Sequence, residues 1–313
     1  MNWKNASEGK CKVVAIVGPT GVGKTALSLD LAERFRGEIV NYDSVQVYRY
    51  LDIGTAKPTP EERRRVPHHL FDLLEPHEPF HAAAFVEKAD RVIAEITSRG
   101  RLPILVGGTG LYLKALLHGL FPVEVPEELR KNLKERLARE GLSSLYRELQ
   151  EKDPEAAARI HPHDRVRILR ALEVYYATGK PFSQLAREHG FRPRRYSALK
   201  IGLTLPREEL YARLDRRVEE MLRSGLLEEV KKLLARYPPD LKPLQSIGYR
   251  HLIAYLSGRL PLSEAVRLMK RDTRRYAKRQ LTWFRADPEV RWFHPADRKA
   301  IFEEVEKFLA GKT

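Results

Sequence analysis

Cysteine is almost missing: Cys11 is the only one in 313 residues, which excludes an intrachain disulfide and a thiolate zinc cluster and points away from an oxidising compartment. Long apolar runs are missing too. No stretch approaches the ~20 consecutive apolar residues that span a bilayer, and Met1 to Lys10 is polar, without the apolar core of a secretion signal. A cytoplasmic protein with no membrane partner is expected. Negative charge is the third shortage. Against 57 Lys and Arg stand only 42 Asp and Glu, a formal charge of +15. That excess suits a polyanionic partner, nucleic acid most simply, or else a densely solvated surface. Fixed-period repeats and low-complexity tracts are also lacking.

What is present is an alternation of short apolar strands and amphipathic helices. With 42% hydrophobic residues the chain can bury a substantial core. Val13 to Val17 reads as a buried strand and Thr25 to Phe35 as a helix. Glu38 to Asn41 is a second strand, a region rich in Pro and His reads as loop, Ala82 to Ser98 is helical, and Pro103 to Val106 is a third strand. Such βαβ order predicts an α/β fold with a parallel sheet, its ligand crevice beyond the strands' carboxyl ends. From about Leu120 to Tyr196 charged helical segments follow one another, separated by Pro126, Gly141, Pro154, Pro162 and Gly179. Residues 120–196 are therefore expected to form an all-helical insertion, and 1–119 with 197–313 the core. Ser197 to Leu205 returns as a strand, followed by helices over Arg207 to Ser224, Leu226 to Tyr237, Tyr249 to Leu256 and Leu262 to Arg285.

Between the first strand and first helix lies Gly18-Pro19-Thr20-Gly21-Val22-Gly23-Lys24-Thr25, the G-x-x-x-x-G-K-[ST] pattern in the context that gives it meaning. Backbone amides of such a loop curl around phosphate oxygens, Lys24 neutralises charge and Thr25 can ligate Mg²⁺. Asp43, at the end of the second strand, can bind Mg²⁺, remove a proton, or merely cap a helix. The third strand lacks the terminal acid that an NTPase uses to hold metal or water: Val106 runs into Gly107-Gly108-Thr109-Gly110. Hydrolysis and phosphoryl transfer are thereby disfavoured.

At these positions the sequence resembles the tRNA dimethylallyltransferases, also called tRNA isopentenyltransferases, over nearly its whole length. The resemblance rests on the Gly18 to Thr25 loop, Asp43-Ser44-Val45-Gln46, Asp52 to Pro58, Val106 to Tyr112, Arg167 with Arg170 to Glu173, Gly248-Tyr249-Arg250, and Ala277 to Gln280 with Trp283. It implies a P-loop NTPase-like core carrying a helical insertion. It also implies transfer of the dimethylallyl group from dimethylallyl diphosphate to the exocyclic amine of the adenosine 3′ of the anticodon. An adenine amine is a poor nucleophile because its lone pair is delocalised, so a carboxylate that accepts its proton is useful. Asp43 is the candidate base. The resemblance further places Thr109 and Arg217 on the diphosphate. It assigns tRNA contacts to Asp43, Ser44, Val45, Gln46 and Thr109; to Lys131; to the run Val166, Arg167, Ile168, Leu169 and Arg170; to Gln245, Ser246, Ile247, Gly248, Tyr249 and Arg250; and to Arg274, Arg275, Lys278, Arg279 and Gln280. Mg²⁺ is the expected cofactor, tRNA and dimethylallyl diphosphate the partners, and a monomer the expected form.

Taken without the resemblance, Thr109 is a turn residue, Arg217 a surface arginine and the late basic helix a solvated face. His68, His69, His161 and His163 read as loop or capping residues, since no thiolate or carboxylate set accompanies them at ligand spacing. Tyr112, Trp283 and Phe284 suit either a substrate channel or a core. Two other activities share the loop: an ATP-dependent kinase, and a prenyltransferase acting on free adenylate. A non-catalytic RNA-binding module would leave the loop and Asp43 without a purpose.

Overall fold

The computed structural model describes residues 10–120, 123–190 and 194–311; of Met1 to Lys10, all but Lys10 lie outside them. By its internal contacts the chain divides into two compact units, Met1–Leu117 with Arg194–Thr313, and His118–Pro193. In chain order the first unit begins with β1 (Lys12–Val17), α1 (Lys24–Arg34), β2 (Gly37–Asn41), α2 (Pro60–Arg65), β3 (His68–His69), α3 (Ala82–Ser98), β4 (Leu102–Val106) and α4 (Gly110–His118). The second unit holds α5 (Glu127–Glu140), α6 (Leu142–Lys152), α7 (Pro154–Arg159), α8 (Arg165–Thr178) and α9 (Phe182–His189). The first resumes with β5 (Ser197–Leu203), α10 (Arg207–Arg223), α11 (Leu226–Leu234), α12 (Tyr249–Leu256), α13 (Leu262–Arg285), β6 (Val290–Phe293) and α14 (Arg298–Leu309). Among the described residues no helix is long and apolar enough to cross a membrane.

The six strands form one parallel sheet in the order β3-β2-β4-β1-β5-β6. Helices cover both faces, so the central strands read as continuous apolar runs rather than alternating ones. All six residues of β1 are buried. That includes Lys12, whose Nζ donates to the Phe308 and Leu309 carbonyls at 3.1 and 2.9 Å. A buried ammonium is thus satisfied by the negative end of α14. Apolar side chains divide into one cluster around Val13, Val17, Phe85 and Leu252 and another around Val14, Ile16, Leu29 and Leu214, one on each side of the sheet.

Several elements go beyond the sequence reading, α4 after β4 among them. The Pro- and His-rich loop contains α2, opened by a capping box in which Glu62 N donates to Thr59 Oγ1 and Thr59 N to Glu62 Oε2. It also contains β3, two residues paired to Ile39 and Val40. Strand β6 and helix α14 close the far edge. The second unit contains no strand among its described residues and has its own core, built on Leu133, Leu145, Leu149, Ile168 and Leu172. Its limits at 118 and 193 compare with the expected 120 and 196.

Candidate active site

Three adjacent strands, β1, β4 and β2, deliver the loop after β1, the Gly107–Gly110 segment and the Asp43 turn to one edge of the sheet. In the first, Gly23 has φ +104°, a backbone state that side chains with a Cβ rarely adopt. Lys24 folds over the loop, its Nζ donating to the Gly18 and Pro19 carbonyls at 2.9 and 2.7 Å. Burial, with Arg217 adding repulsion and Asp43 opposing it, lowers the Lys24 ammonium from its ordinary 10.5 to about 7. Two cations brought together where burial disfavours their charge suit an anion. Arg217, on α10, stands over the loop: a Cβ on Gly21 would fall 2.6 Å from Leu214, one turn earlier on that helix. Burial pushes the Arg217 guanidinium below its ordinary value. A cavity of about 1230 Å³ opens here, lined by Gly21, Arg217, Arg213, Arg49 and Arg63.

Asp43 follows directly on the β2–β4 pairing, with Tyr42 N donating to Val106 O at 3.0 Å. One carboxylate oxygen, Oδ1, caps its own turn by accepting Val45 N at 2.8 Å and Gln46 N at 3.3 Å. The other faces Gly108, where an added Cβ would lie 3.0 Å from Oδ2 and 3.1 Å from the Tyr276 hydroxyl. Capping thus uses Oδ1 and leaves Oδ2 facing the Gly108 segment. The Asp43 charge is felt by three phenols. Burial raises Tyr42 and Tyr276, and Asp43 adds to both; burial pushes Tyr112 up to about 12, with Tyr48 and Asp43 adding.

The missing acid after β4 now has a steric reason. A Cβ on Gly107 would sit 2.7 Å from the Tyr42 carbonyl carbon, and one on Gly108 2.6 Å from Gln280 Nε2. Backbone bars a side chain at Gly107, and at Gly108 one would have to displace the Gln280 amide. Thr109 is spent locally, accepting Ser44 N at 3.0 Å and donating to Ser44 Oγ at 3.1 Å. Gln280, expected among the tRNA contacts, lies between two loops of the site. It is buried, its Oε1 accepts Thr20 N at 2.8 Å and its Nε2 donates to Gly108 O at 3.0 Å. It therefore joins the phosphate loop to the β4 loop instead of presenting an exposed contact.

The remaining candidates separate by exposure. Arg275, Lys278 and Arg279 on α13 are exposed. Arg274 instead makes a bidentate ion pair with Asp215 on α10, at 2.6 and 2.7 Å, tying the two helices together. Tyr249 is fully buried and Gly248 is buried beneath it, whereas Gln245 is exposed and Ser246, Ile247 and Arg250 are half-buried. In the second unit Lys131, Val166 and Arg167 are exposed, Leu169 and Arg170 are half-buried, and Ile168 faces that unit's core. Tyr112 stacks on Phe85 with ring centroids 4.9 Å apart and Phe284 is buried, so both pack the core. Trp283, 44% exposed, lies against Gly110. His69 Nε2 meets Glu38 Oε2 at 2.7 Å, His68 Nδ1 meets the Val66 carbonyl at 2.8 Å, and His161 Nδ1 accepts His163 N at 3.2 Å.

A strand, a glycine-bearing loop and a helix N-terminus at the carboxyl edge of a parallel sheet define a P-loop phosphate-binding protein. The comparisons with known proteins narrow this further. A family model described as IPP transferase matches residues 46–287, and one described as isopentenyl transferase matches 11–71. The chain is 50% identical over 305 residues to tRNA dimethylallyltransferase 2 of Syntrophus aciditrophicus, covering 97% of this chain and 98% of that one. To tRNA dimethylallyltransferase 2 of Geotalea uraniireducens it is 53% identical over 308 residues, 97% and 99% of the two chains. Among solved structures, the full-length tRNA isopentenylpyrophosphate transferase of Bacillus halodurans matches with TM-score 0.72 and 44% identity, over 96% of this chain and 97% of that one. A eukaryotic dimethylallyltransferase described as acting on tRNA matches with TM-score 0.83 and 30% identity, over 96% and 80%. The chain belongs to the IPP transferase family.

Proposed function

We infer that this protein is a tRNA dimethylallyltransferase. It transfers the dimethylallyl group of dimethylallyl diphosphate to the exocyclic amine of the adenosine 3′-adjacent to the anticodon, releasing diphosphate. The observation that carries this reading is the convergence of the anion-ready loop and the Oδ2 of Asp43 at one sheet edge that lacks a metal-holding acid on β4. The loop is thus suited to hold a leaving diphosphate, and Asp43 to take the proton of an attacking amine. Lys24, Arg217 and the loop amides from Gly21 to Thr25 offset the charge that grows on the diphosphate as the carbon–oxygen bond breaks, Pro19 carrying no N–H and Thr20 N being held by Gln280. Thr109 braces the Asp43–Ser44 turn, and a contact with diphosphate would require its proton to turn away from Ser44.

Mg²⁺ fits what is present. Thr25 stands at the phosphate-loop position whose hydroxyl ligates Mg²⁺, with phosphate oxygens and water supplying the other ligands. Thr25 would hold it, and the ion would neutralise diphosphate oxygens. We place the tRNA contacts on the exposed basic residues of α13, on the segment from Gln245 to Arg250, and on Lys131 and the Val166–Arg170 run of the second unit. A loop adenosine must be splayed from its stack to react, and arginine-rich surfaces can hold the flanking phosphates while it is.

The test is incubation with labelled dimethylallyl diphosphate, Mg²⁺ and unmodified tRNA, with free AMP and ATP-consumption assays in parallel. Label on the adenosine beside the anticodon, without ATP, is the expected result. Label on AMP alone would shift the acceptor to free adenylate, and ATP turnover without label would replace transfer by a kinase reaction.

A further inference from the structure

One carboxylate outside the site has an unusual set of partners. Glu229, on α11, accepts three successive backbone amides, with Oε2 taking Asp52 N at 3.1 Å and Ile53 N at 2.8 Å, and Oε1 taking Gly54 N at 3.2 Å. Its Oε1 also accepts the hydroxyl of buried Tyr249 at 2.6 Å. Consecutive amides pointing to one spot make an anion nest, and here the anion is the protein's own. Gly54 has no space for a side chain, since a Cβ would lie 2.5 Å from the Tyr249 ring. The loop is fixed again one step further on. Thr55 and Ala56, the latter at φ +49°, turn their carbonyls to Gln46, whose Nε2 donates to them at 2.9 and 3.2 Å. The Gln46 backbone amide, with that of Val45, holds Oδ1 of Asp43. Hydrogen bonds joined by short stretches of backbone therefore lead from Glu229 through residues 52–56 and Gln46 to the Asp43 carboxylate.

We propose that Glu229 is a positioning residue for Asp43: by plugging the amide nest it fixes the Asp52–Ala56 loop, which orients Gln46 and sets the direction of Oδ2. This rests on the reading of Asp43 as the base. None of these hydrogen bonds reaches the diphosphate loop, although Asp52, Ile53 and Ala56 line the same cavity as Gly21 and Arg217; loss of Glu229 should therefore fall chiefly on the chemical step, and donor KM is read beside kcat to separate the two.

The experiment compares wild-type protein, Glu229→Gln, Gln46→Ala and the double variant, in kcat and in KM for each substrate, with thermal midpoints alongside. Glutamine keeps the volume but places an NH₂ where an oxygen now accepts an amide. Expected is a kcat about tenfold to a hundredfold lower with donor KM within about twofold, because small misplacements of a reacting group cost on that scale. Adding Gln46→Ala to Glu229→Gln should then lower kcat by no more than about twofold, since the path is already cut. Effects that multiply, or a Glu229→Gln kcat within about twofold of wild type while Asp43→Asn is crippled, would overturn the inference. Full activity of Asp43→Asn would instead remove the base reading beneath it. Should Glu229→Gln not fold, Glu229→Asp keeps the charge, shortens the reach and is judged by the same outcomes. Glu228→Gln, on the neighbouring exposed position, controls for lost charge and should behave as wild type.

Discussion

One amide side chain joins two loops of the site: Gln280 accepts Thr20 N through Oε1 and donates to Gly108 O through Nε2. The phosphate loop is local: its glycines, Lys24 and Thr25 lie in one run, so pattern and structure coincide. Asp43 was legible as a strand-end acid, but which of its two oxygens the cap uses depends on the turn geometry. Gln280 was illegible as a strut, because its role is defined by two loops, at Thr20 and Gly108, that meet only in the folded chain. The donor at Thr20 and the acceptor at Gly108 fix which way its amide points. Gln280→Glu places a second acceptor against the Gly108 carbonyl, and a buried polar clash of this kind costs roughly 1–3 kcal/mol. The expected result is a kcat reduced by about one to two orders of magnitude at nearly unchanged KM for tRNA. Steady-state kinetics decide the matter. A raised tRNA KM at constant kcat would return Gln280 to the RNA surface.

Among elements, the long helices were read most faithfully. Helix α13 spans Leu262–Arg285 as expected, because Ala265, Met269, Ala277 and Phe284 recur on one buried face. Strand β3 escaped because two residues carry no periodicity and are defined only by pairing with β2. Contacts between helices were hidden as well. Arg274 belongs to the α10–α13 joint through Asp215, whereas Arg275 and Lys278 are exposed. Removing the charges of Arg275 and Lys278 together should lower the salt slope of tRNA binding by about two if each meets a phosphate. Arg274→Ala should chiefly reduce stability; an unchanged slope in the double variant would mean that this face does not meet RNA. The α12–α13 joint adds a pH dependence. His251 Nδ1 accepts Gly248 N and its other nitrogen meets Asp272 at 3.1 Å. Burial lowers the His251 pKa, with the Asp272 hydrogen bond opposing and Arg250 assisting. Below about pH 6.5 the unfolded chain takes up this proton before the folded one does. The stability contributed by His251 is therefore complete above that pH and is lost as pH falls towards the folded value. Thermal midpoints from pH 7.5 to 5.5 should drop more for wild type than for the non-titrating His251→Gln, and equal drops would exclude the residue as a source.

At the scale of the whole molecule, the two units invite a separation of functions. Leu117 O accepts Arg195 N at 3.0 Å and Leu116 O accepts the Arg195 guanidinium at 3.0 Å, so the chain leaves the first unit and returns to it at neighbouring points. Between them, residues 118–193 bury their own leucines and carry their own ion pairs, such as Arg136 with Glu140 and Glu148. An insertion with adjacent ends and an independent core can be replaced by a short turn with little cost in chain entropy, because closing a few residues is cheap when their ends already meet. Replacing residues 118–193 with a short Gly-Ser linker should leave a cooperative thermal transition and diphosphate binding within about threefold, since the sheet and its loops belong wholly to the first unit. Binding of tRNA should weaken by at least about tenfold, as Lys131 and the Val166–Arg170 run leave with the insertion. Calorimetry of the excised protein with diphosphate and with tRNA measures both. Wild-type affinity for tRNA would confine the RNA surface to the first unit, and loss of diphosphate binding would mean that the phosphate site depends on the insertion.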